Sequence, residues 1–388
     1  MGKLNRAASI DDLRLQARRH LPRTIFEFID GGAGGERTLR ANRSDLERLT
    51  LKPRVAVNVA ERRAVVELAG QAAALPLVLG PTGLAGVYWP QGEVAAARAA
   101  AAAGIPFCLS TNSVASMEEV AEGAPGGDLW FQLYFLKDEA LMDALLERAR
   151  NSGYRVLCLT LDLAVQGRRD RDIRNAFTIP FRPTLKTVFE TAIRPAWFAG
   201  FLQSGGVRFG NFEGSLPKQG FMSIAAHIAA LCDAGADWDT VARVAAKWDG
   251  PVVIKGILSP EDAERAVALG PEAIIVSNHG GRQLDHVPSA AAALPDIVAA
   301  VGGRTQVILD GGVYRGTDLI KARAMGAGAC MVGRGFLWGL AAGGQAGVAR
   351  AIDIYREELD IGMALLGQPD FDGIGRDALL TGPEGYPS

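Results

Sequence analysis

The segment AIIVSNHGGRQLDHVP, residues 273–288, runs from apolar, β-branched residues straight into Ser277, Asn278, His279, a glycine pair, Arg282 and Asp285. An imidazole, with an ordinary pKa of about 6.5, suits proton abstraction at neutral pH. His279 is one of four histidines in the chain, and the glycines after it let backbone or ligand approach closely. A histidine base needs an orienting carboxylate, and Asp162, closing the run VLCLTLD, is the candidate. No second histidine stands at metal-ligand spacing, which disfavours zinc. Arg282 follows His279, and Arg168 and Arg169 follow Asp162 in QGRRDRDIRN. Paired arginines suit a bidentate grip on a carboxylate or phosphate. Arg169 and Arg282 are given that role, and Arg168 that of a solvated surface charge. Lys255, ending VVIKG, admits two readings. It is a Schiff-base nucleophile, or a fixed cation facing the negative charge of a reduced flavin.

These side chains share a placement. Apolar runs recur at 75–83, 106–111, 129–134, 156–162, 251–256, 273–279, 306–312 and 329–334. Runs this apolar suggest strands covered on both faces, as in a parallel sheet. Helical segments lie between them. EVAAARAAAAAG stops at Gly104; SPEDAERAVALG has Ser259 as N-cap, Pro260 in the first turn and Gly270 as stop; RGTDLIKARAMGAG has Thr317 as its expected N-cap. Eight strands alternating with helices predict a closed (β/α)8 barrel of the α/β class. Active-site groups in such a barrel come from the C-terminal strand ends. Here those ends carry Thr82, Ser110 with Thr111, Gln132 with Tyr134, Thr160 with Asp162, Lys255, Ser277 with His279, Asp310, and Gly333 with Arg334. Any one of them could serve an ordinary loop hydrogen bond; eight converging on one mouth exceed what solvation of strand ends requires. The last two strands end in LDGG and VGRG, the usual barrel place for a phosphate.

With 388 residues, 48% of them hydrophobic, the chain can bury a large core. Its formal net charge of −2 leaves no electrostatic footprint for nucleic acid. The N-terminal residues read as an amphipathic helix capped by Ser9 rather than a signal peptide. No run approaches the roughly 20 apolar residues of a membrane span. Cys108, Cys158, Cys232 and Cys330 form no CxxC or ligand spacing and read as reduced thiols of a cytoplasmic protein. The expected organisation is a single domain over 1–388. An N-terminal cap covers 1–70, the barrel 75–340 with an insertion at 163–236, and a C-terminal helical segment 341–388. Barrel loops usually hold about 2–6 residues, so the insertion after the fourth strand is exceptional and lies over the C-terminal face.

SNHGGRQLD, at 277–285, resembles the signature of the FMN-dependent α-hydroxy-acid oxidases and dehydrogenases. The resemblance extends, in order, through GPTGLAG, LSTNS, WFQLY, LTLD, GRRDRDIRN, VIKGILSPEDA, LDGGVYRGTD and GQAGV, and so covers almost the whole chain. It implies FMN as cofactor and oxidation of a small (S)-2-hydroxy acid to a 2-oxo acid. His279 would be the base, with Asp162 as its partner. Arg169 and Arg282 would hold the substrate carboxylate, and Tyr134 would touch the hydroxyl or carboxylate. Lys255 would face the flavin N1 and C2 carbonyl. Pro81, Thr82, Gly83, Ser110, Gln132, Thr160 and Ser277 would contact the ring or ribityl chain, and Asp310, Gly312, Gly333 and Arg334 the ribityl and phosphate end.

Two positions depart from that pattern. Phe28, in LPRTIFEFIDGGA, stands where the family usually has a tyrosine reaching the substrate carboxylate. The loss of that donor, with the apolar PTGLAGVYWP, predicts preference for a larger acid such as mandelate over glycolate. Tyr314, in DGGVYRG, stands where an arginine usually meets the FMN phosphate, and Arg315 or Arg334 is expected to compensate. Gly83 stands where the resemblance implies that oxidases often carry alanine, and so points to a dehydrogenase passing electrons to a quinone or other acceptor, with an oxygen-using oxidase as the alternative and a class I aldolase acting through Lys255 as a distant one. Residues 177–212 interleave Phe177, Phe181, Phe189, Trp197, Phe198, Phe201, Phe209 and Phe212 with Arg182, Lys186, Arg194 and Arg208. That pattern suits a bilayer interface, and in the family the membrane-associated lactate and mandelate dehydrogenases carry their membrane segment in this insertion. Peripheral contact with the inner face of the cell membrane is expected, as is a homotetramer.

Overall fold

The computed structural model describes residues 4–175, 185–203, 208–213 and 231–380. A short antiparallel hairpin, β1 (Val66–Leu68) and β2 (Gln71–Ala73), precedes the barrel. The barrel strands are β3 (Leu77–Leu79), β4 (Phe107–Ser110), β5 (Leu129–Leu133), β6 (Val156–Thr160), β7 (Val252–Ile257), β8 (Ala273–Ser277), β9 (Gln306–Asp310) and β10 (Ala329–Val332). All are parallel to their neighbours, and β10 closes back on β3. This is the expected (β/α)8 barrel. The strands β5, β6 and β8 are buried at every residue, as their unbroken apolar runs require. Register then sets the site: Ser110 lies opposite Gln132, Thr160 opposite Lys255, and Ser277 opposite Asp310, all at one rim.

The helices form where caps and composition direct. Ser9 and Asp12 make a capping box on Ile10–His20. Gly92–Ala103 ends at Gly104, whose φ of 68° is the left-handed cap that glycine adopts without strain. Ser259 accepts the Asp262 amide at 3.1 Å to open Pro260–Ala268. The expectation for Thr317 is corrected. The helix is Gly316–Ala324 with Arg315 at the N-cap, because the buried Asp318 turns its carboxylate back onto the amides of Tyr314 and Arg315, 2.9 Å each. The helix Arg334–Leu366 is broken at Gly343 and Gly344 and packs on Ile10–His20, while Arg23–Asp30 and Arg37–Arg48 complete the N-terminal cap. The four cysteines form no disulfide; three are buried and Cys232 is half-buried.

Within the insertion the structure describes Asp170–Arg174, Leu185–Ala192, Pro195–Gln203 and a 3-10 turn at Gly210–Phe212. The insertion returns beside β5, where Lys137 donates to the Leu231 carbonyl and Asp233 to the Phe135 carbonyl, 2.9 Å each. The aromatic residues read as bilayer contacts divide into two sets. Phe189 and Phe198 are exposed, beside exposed Val188, Ile193 and Leu202. Trp197, Phe209 and Phe212 are instead buried: Trp197 Nε1 donates to the Val87 carbonyl at 2.9 Å and its ring stacks on Phe201. These rings pack against the barrel because their apolar area is removed from water there. Phe177, Phe181 and Arg182 lie outside the described residues. Among the described residues no helix is long and apolar enough to cross a membrane.

Candidate active site

His279 sits one residue beyond Asn278 at the end of β8, with a left-handed φ of 57° that an L side chain rarely adopts. Asn278 pins the turn: its Oδ1 accepts the Gly281 amide at 3.0 Å, and its side chain forms a reciprocal amide pair with Asn42, 2.8 Å each way. So held, His279 Nδ1 lies 2.8 Å from Asp162 Oδ1. A carboxylate accepts, so Nδ1 carries the proton and Nε2 is left as the acceptor. Burial pushes the Asp162 carboxyl up, but the His279 partner and the Lys255 charge outweigh it, and its pKa falls below the ordinary aspartate value. The Tyr134 ring stacks beside His279, and burial raises its phenol, which stays a donor.

Arg169 and Arg282 come from different loops and face the same space. The Arg169 Nε–H donates to the Arg282 carbonyl at 3.4 Å, and Arg282 donates to the carbonyls of Phe28 (2.7 Å) and Gly31 (2.9 Å). Burial, and then the charges of Arg169 and Arg334, push the Arg282 pKa well down; burial also lowers that of Arg169. Guanidinium stays charged in proteins, so two like charges share this space, and an incoming anion would relieve their repulsion. Asp172, 3.9 Å from Arg169, offsets this only in part, and burial raises its own pKa. Arg168 reaches the rim, but its side chain is 79% exposed.

Lys255 lies 2.7 Å from Asp310 and 2.8 Å from Ser277 Oγ, which in turn donates to Asp310 at 2.7 Å. Burial opposes its charge, but Asp310 and Asp162 outweigh it, so the ammonium is held protonated. Beside it, Gln132 Nε2 and Thr160 Oγ1 are buried without a hydrogen-bond partner among the described residues. At the other end Gly312 (φ 77°) passes so close to Asn42 that a Cβ would stand 2.0 Å from its carbonyl oxygen. Arg334 donates to the carbonyls of Ile29 (3.1 Å), Gly280 (2.9 Å) and Gly31 (2.7 Å) and has no carboxylate partner among the described residues.

The cavity, about 610 Å3, is lined by Phe28, Pro81, Thr82, Gly83, Ser110, Tyr134, Thr160, Arg169, Lys255, His279, Arg282, Asp310, Gly312, Gly333 and Arg334. Asp162, Gln132 and Ser277 stand directly behind that wall, bonded to its members. Arg315 does not join it: its guanidinium turns outward to Glu358 at 2.9 Å.

The family model for FMN-dependent dehydrogenases matches residues 17–381. The chain belongs to that family. An L-lactate dehydrogenase of Caulobacter sp. (strain K31) is 42% identical over 375 residues, covering 96% of this chain and 98% of that one. One from Xanthomonas campestris pv. campestris (strain 8004) is 42% identical over 378 residues, covering 96% of each. Among solved structures, a monotopic membrane protein, (S)-mandelate dehydrogenase, superposes with a TM-score of 0.93 at 37% identity, covering 97% of this chain and all of that one. A mandelate oxidase superposes with a TM-score of 0.82 at 39% identity, covering 96% and 98%.

The residues present fit the family's cofactor. The unpartnered Gln132 amide and Thr160 hydroxyl, beside a buried ammonium, match the polar edge of a flavin ring. Asp310 would meet the ribityl hydroxyls, and the backbone at Gly312 and Gly333 with Arg334 would meet the phosphate. Six further wall residues carry no site role in the sequence reading. Tyr88, Asn112 and Asp172 lie inside motifs already singled out, whereas Leu163, Phe209 and Cys232 carry no signal that distinguishes them from core or lid.

Proposed function

We propose that the protein oxidises an (S)-2-hydroxy acid to the corresponding 2-oxo acid. The observation that carries this reading is a single cavity presenting an Asp162-oriented imidazole and two half-buried guanidinium groups side by side, an arrangement that suits an anion. The L-lactate dehydrogenase relatives and the (S)-mandelate dehydrogenase neighbour support it. FMN, when bound, supplies the two-electron acceptor. Arg169 and Arg282 grip the substrate carboxylate and fix the α-carbon. Tyr134 donates to the hydroxyl or carboxylate oxygen. His279 Nε2 takes one of the two protons released, and Asp162, kept ionised, stabilises the resulting imidazolium. A protonated Lys255 opposes the aldolase reading, since an amine nucleophile needs a depressed pKa.

The substrate is a larger acid such as mandelate. Phe28, Leu84, Tyr88, Leu163 and Phe209 give the cavity an apolar side, and a bulky acyl group gains from each buried carbon. The electron acceptor is a quinone, reached at the membrane. The exposed apolar residues Val188, Phe189, Ile193, Phe198 and Leu202 support that docking. Anaerobic flavin bleaching by mandelate, lactate and glycolate tests the proposal. Mandelate should bleach fastest; no bleaching by any 2-hydroxy acid would overturn it.

A further inference from the structure

The two functional pairs, Asp162 with His279 and Arg169 with Arg282, are both made across loops whose strands do not touch. The loop carrying Asp162 and Arg169 follows β6, the loop carrying His279 and Arg282 follows β8, and β7 lies between them. No ladder hydrogen bond therefore sets their separation. We propose that Gln283 sets it, as a positioning residue that clamps the two loops over the end of β7.

Gln283 follows Arg282 directly, and its side chain reaches back across the gap. Nε2 donates to the carbonyls of Asp162 and Val165, 3.0 Å each, and Oε1 accepts the Gly167 amide at 3.2 Å. Both amide protons and a carbonyl lone pair are thus spent on the opposite loop. One of those bonds goes to the main chain of Asp162, and another to a residue two before Arg169. Gly167 shows how tightly the loops are drawn together. A Cβ there would stand 2.5 Å from the carbonyl oxygens of both Arg282 and Gln283. The direct link between the arginines is the long 3.4 Å bond from Arg169 Nε–H to the Arg282 carbonyl, too weak to hold the loops alone. Gln283 itself is not among the cavity-lining residues. Its effect passes through the three residues whose backbones it ties, Asp162, Val165 and Gly167.

This role rests on the hydroxy-acid reading, and it has a distinguishing signature. A residue that only stabilises the fold lowers the melting temperature and flavin content but leaves the behaviour of each bound flavin unchanged. Loss of the Gln283 clamp disturbs the base and the carboxylate grip together. The test uses the flavin-loaded full chain and its Gln283→Leu variant, which removes all three bonds at similar volume. Two constants are read per bound flavin: the limiting rate of anaerobic bleaching by mandelate, and the Kd for oxalate, an unreactive carboxylate, from the flavin difference spectrum. In Gln283→Leu the rate falls and the oxalate Kd rises, each by roughly 10- to 100-fold, as misplacement on the order of 1 Å produces. Equality with the parent protein in both constants overturns the proposal. Should Gln283→Leu not retain flavin, Gln283→Asn, one methylene shorter, is read by the same constants and against the same criterion. Parent protein that binds oxalate but is bleached by no hydroxy acid removes the substrate reading instead, while the oxalate Kd still tests Gln283.

Discussion

The guanidinium carbon of Arg282 lies 5.0 Å from the centre of the Phe28 ring, and that of Arg169 lies 5.9 Å from the same centre. The π-face gives two like charges a shared electron-rich surface without occupying their N–H groups with a carboxylate. Removing it in Phe28→Ala should raise the KM for mandelate by about 5- to 30-fold, the range of cation–π energies of about 1–2 kcal/mol. Phe28→Tyr adds a donor of about 1 kcal/mol and should raise kcat/KM for lactate and glycolate relative to mandelate. Steady-state kinetics on the three acids measures both.

His279→Gln keeps a polar side chain in place but removes the proton acceptor. Flavin bleaching by the best substrate should slow by about 10²- to 10⁴-fold. The visible flavin spectrum should remain, because the atoms that match the flavin belong to other residues. Bleaching at the parental rate would show that His279 is not the base.

Lys255→Met tests the buried charge network. It leaves Asp310 and Ser277 facing each other without the cation that both approach within 2.8 Å. Breaking a buried pair by removing one partner costs about 3–5 kcal/mol. Denaturant midpoints at neutral pH should fall accordingly. A change below about 1 kcal/mol, the value of an exposed pair, would mean that water reaches the pair freely.

Acid should weaken the His279–Asp162 interaction in a defined direction. The folded-state pKa of Asp162 lies below its ordinary value because the histidine and Lys255 outweigh burial. The unfolded chain, with an aspartate pKa of about 3.9, therefore takes up that proton more readily. The stability Asp162 contributes is present in full above that value and is lost as pH falls through the lower folded one. The parent's stability advantage over Asp162→Asn should shrink below about pH 4. Urea midpoints from pH 3 to 7 check it; an advantage that grows on acidification would contradict the sign.

Docking at a membrane should depend on the exposed side chains of Leu185–Ala192 and Pro195–Gln203. Phe189 and Leu202, 65% and 60% exposed, each stand to bury area at a lipid surface. Full burial of such a side chain is worth about 1.5–3 kcal/mol. Phe189→Ser with Leu202→Ser should reduce co-sedimentation with anionic vesicles by about 10-fold or more. Parent protein that fails to sediment at low salt would leave these helices as a lid or a subunit contact.

The sequence by itself determined the barrel and most of its rim. An apolar run such as VLCLTLD, short and set between helical segments, fits a strand covered on both faces, and the polar group that ends it then stands at the strand's C-terminal end. Local signals also located the caps at Ser9, Ser259 and Gly104, since each cap bonds to a residue within one turn. Tertiary structure decided whatever depends on distance between loops. Arg315 and Arg334 are both arginines beside glycine-rich turns, yet one turns out to Glu358 and the other stays in the cavity wall. Trp197, Phe209 and Phe198 look alike in the sequence, and only packing buries the first two and exposes the third. Asp318 displaced Thr317 as the group that opens its helix: its carboxylate accepts the amides of Tyr314 and Arg315, four and three residues before it, and burial with Arg43 holds it there. Gln283 was visible in its motif but silent about its use. Its three partners lie more than a hundred residues away, beyond a strand it does not touch, and only the closure of the barrel brings them within hydrogen-bond reach.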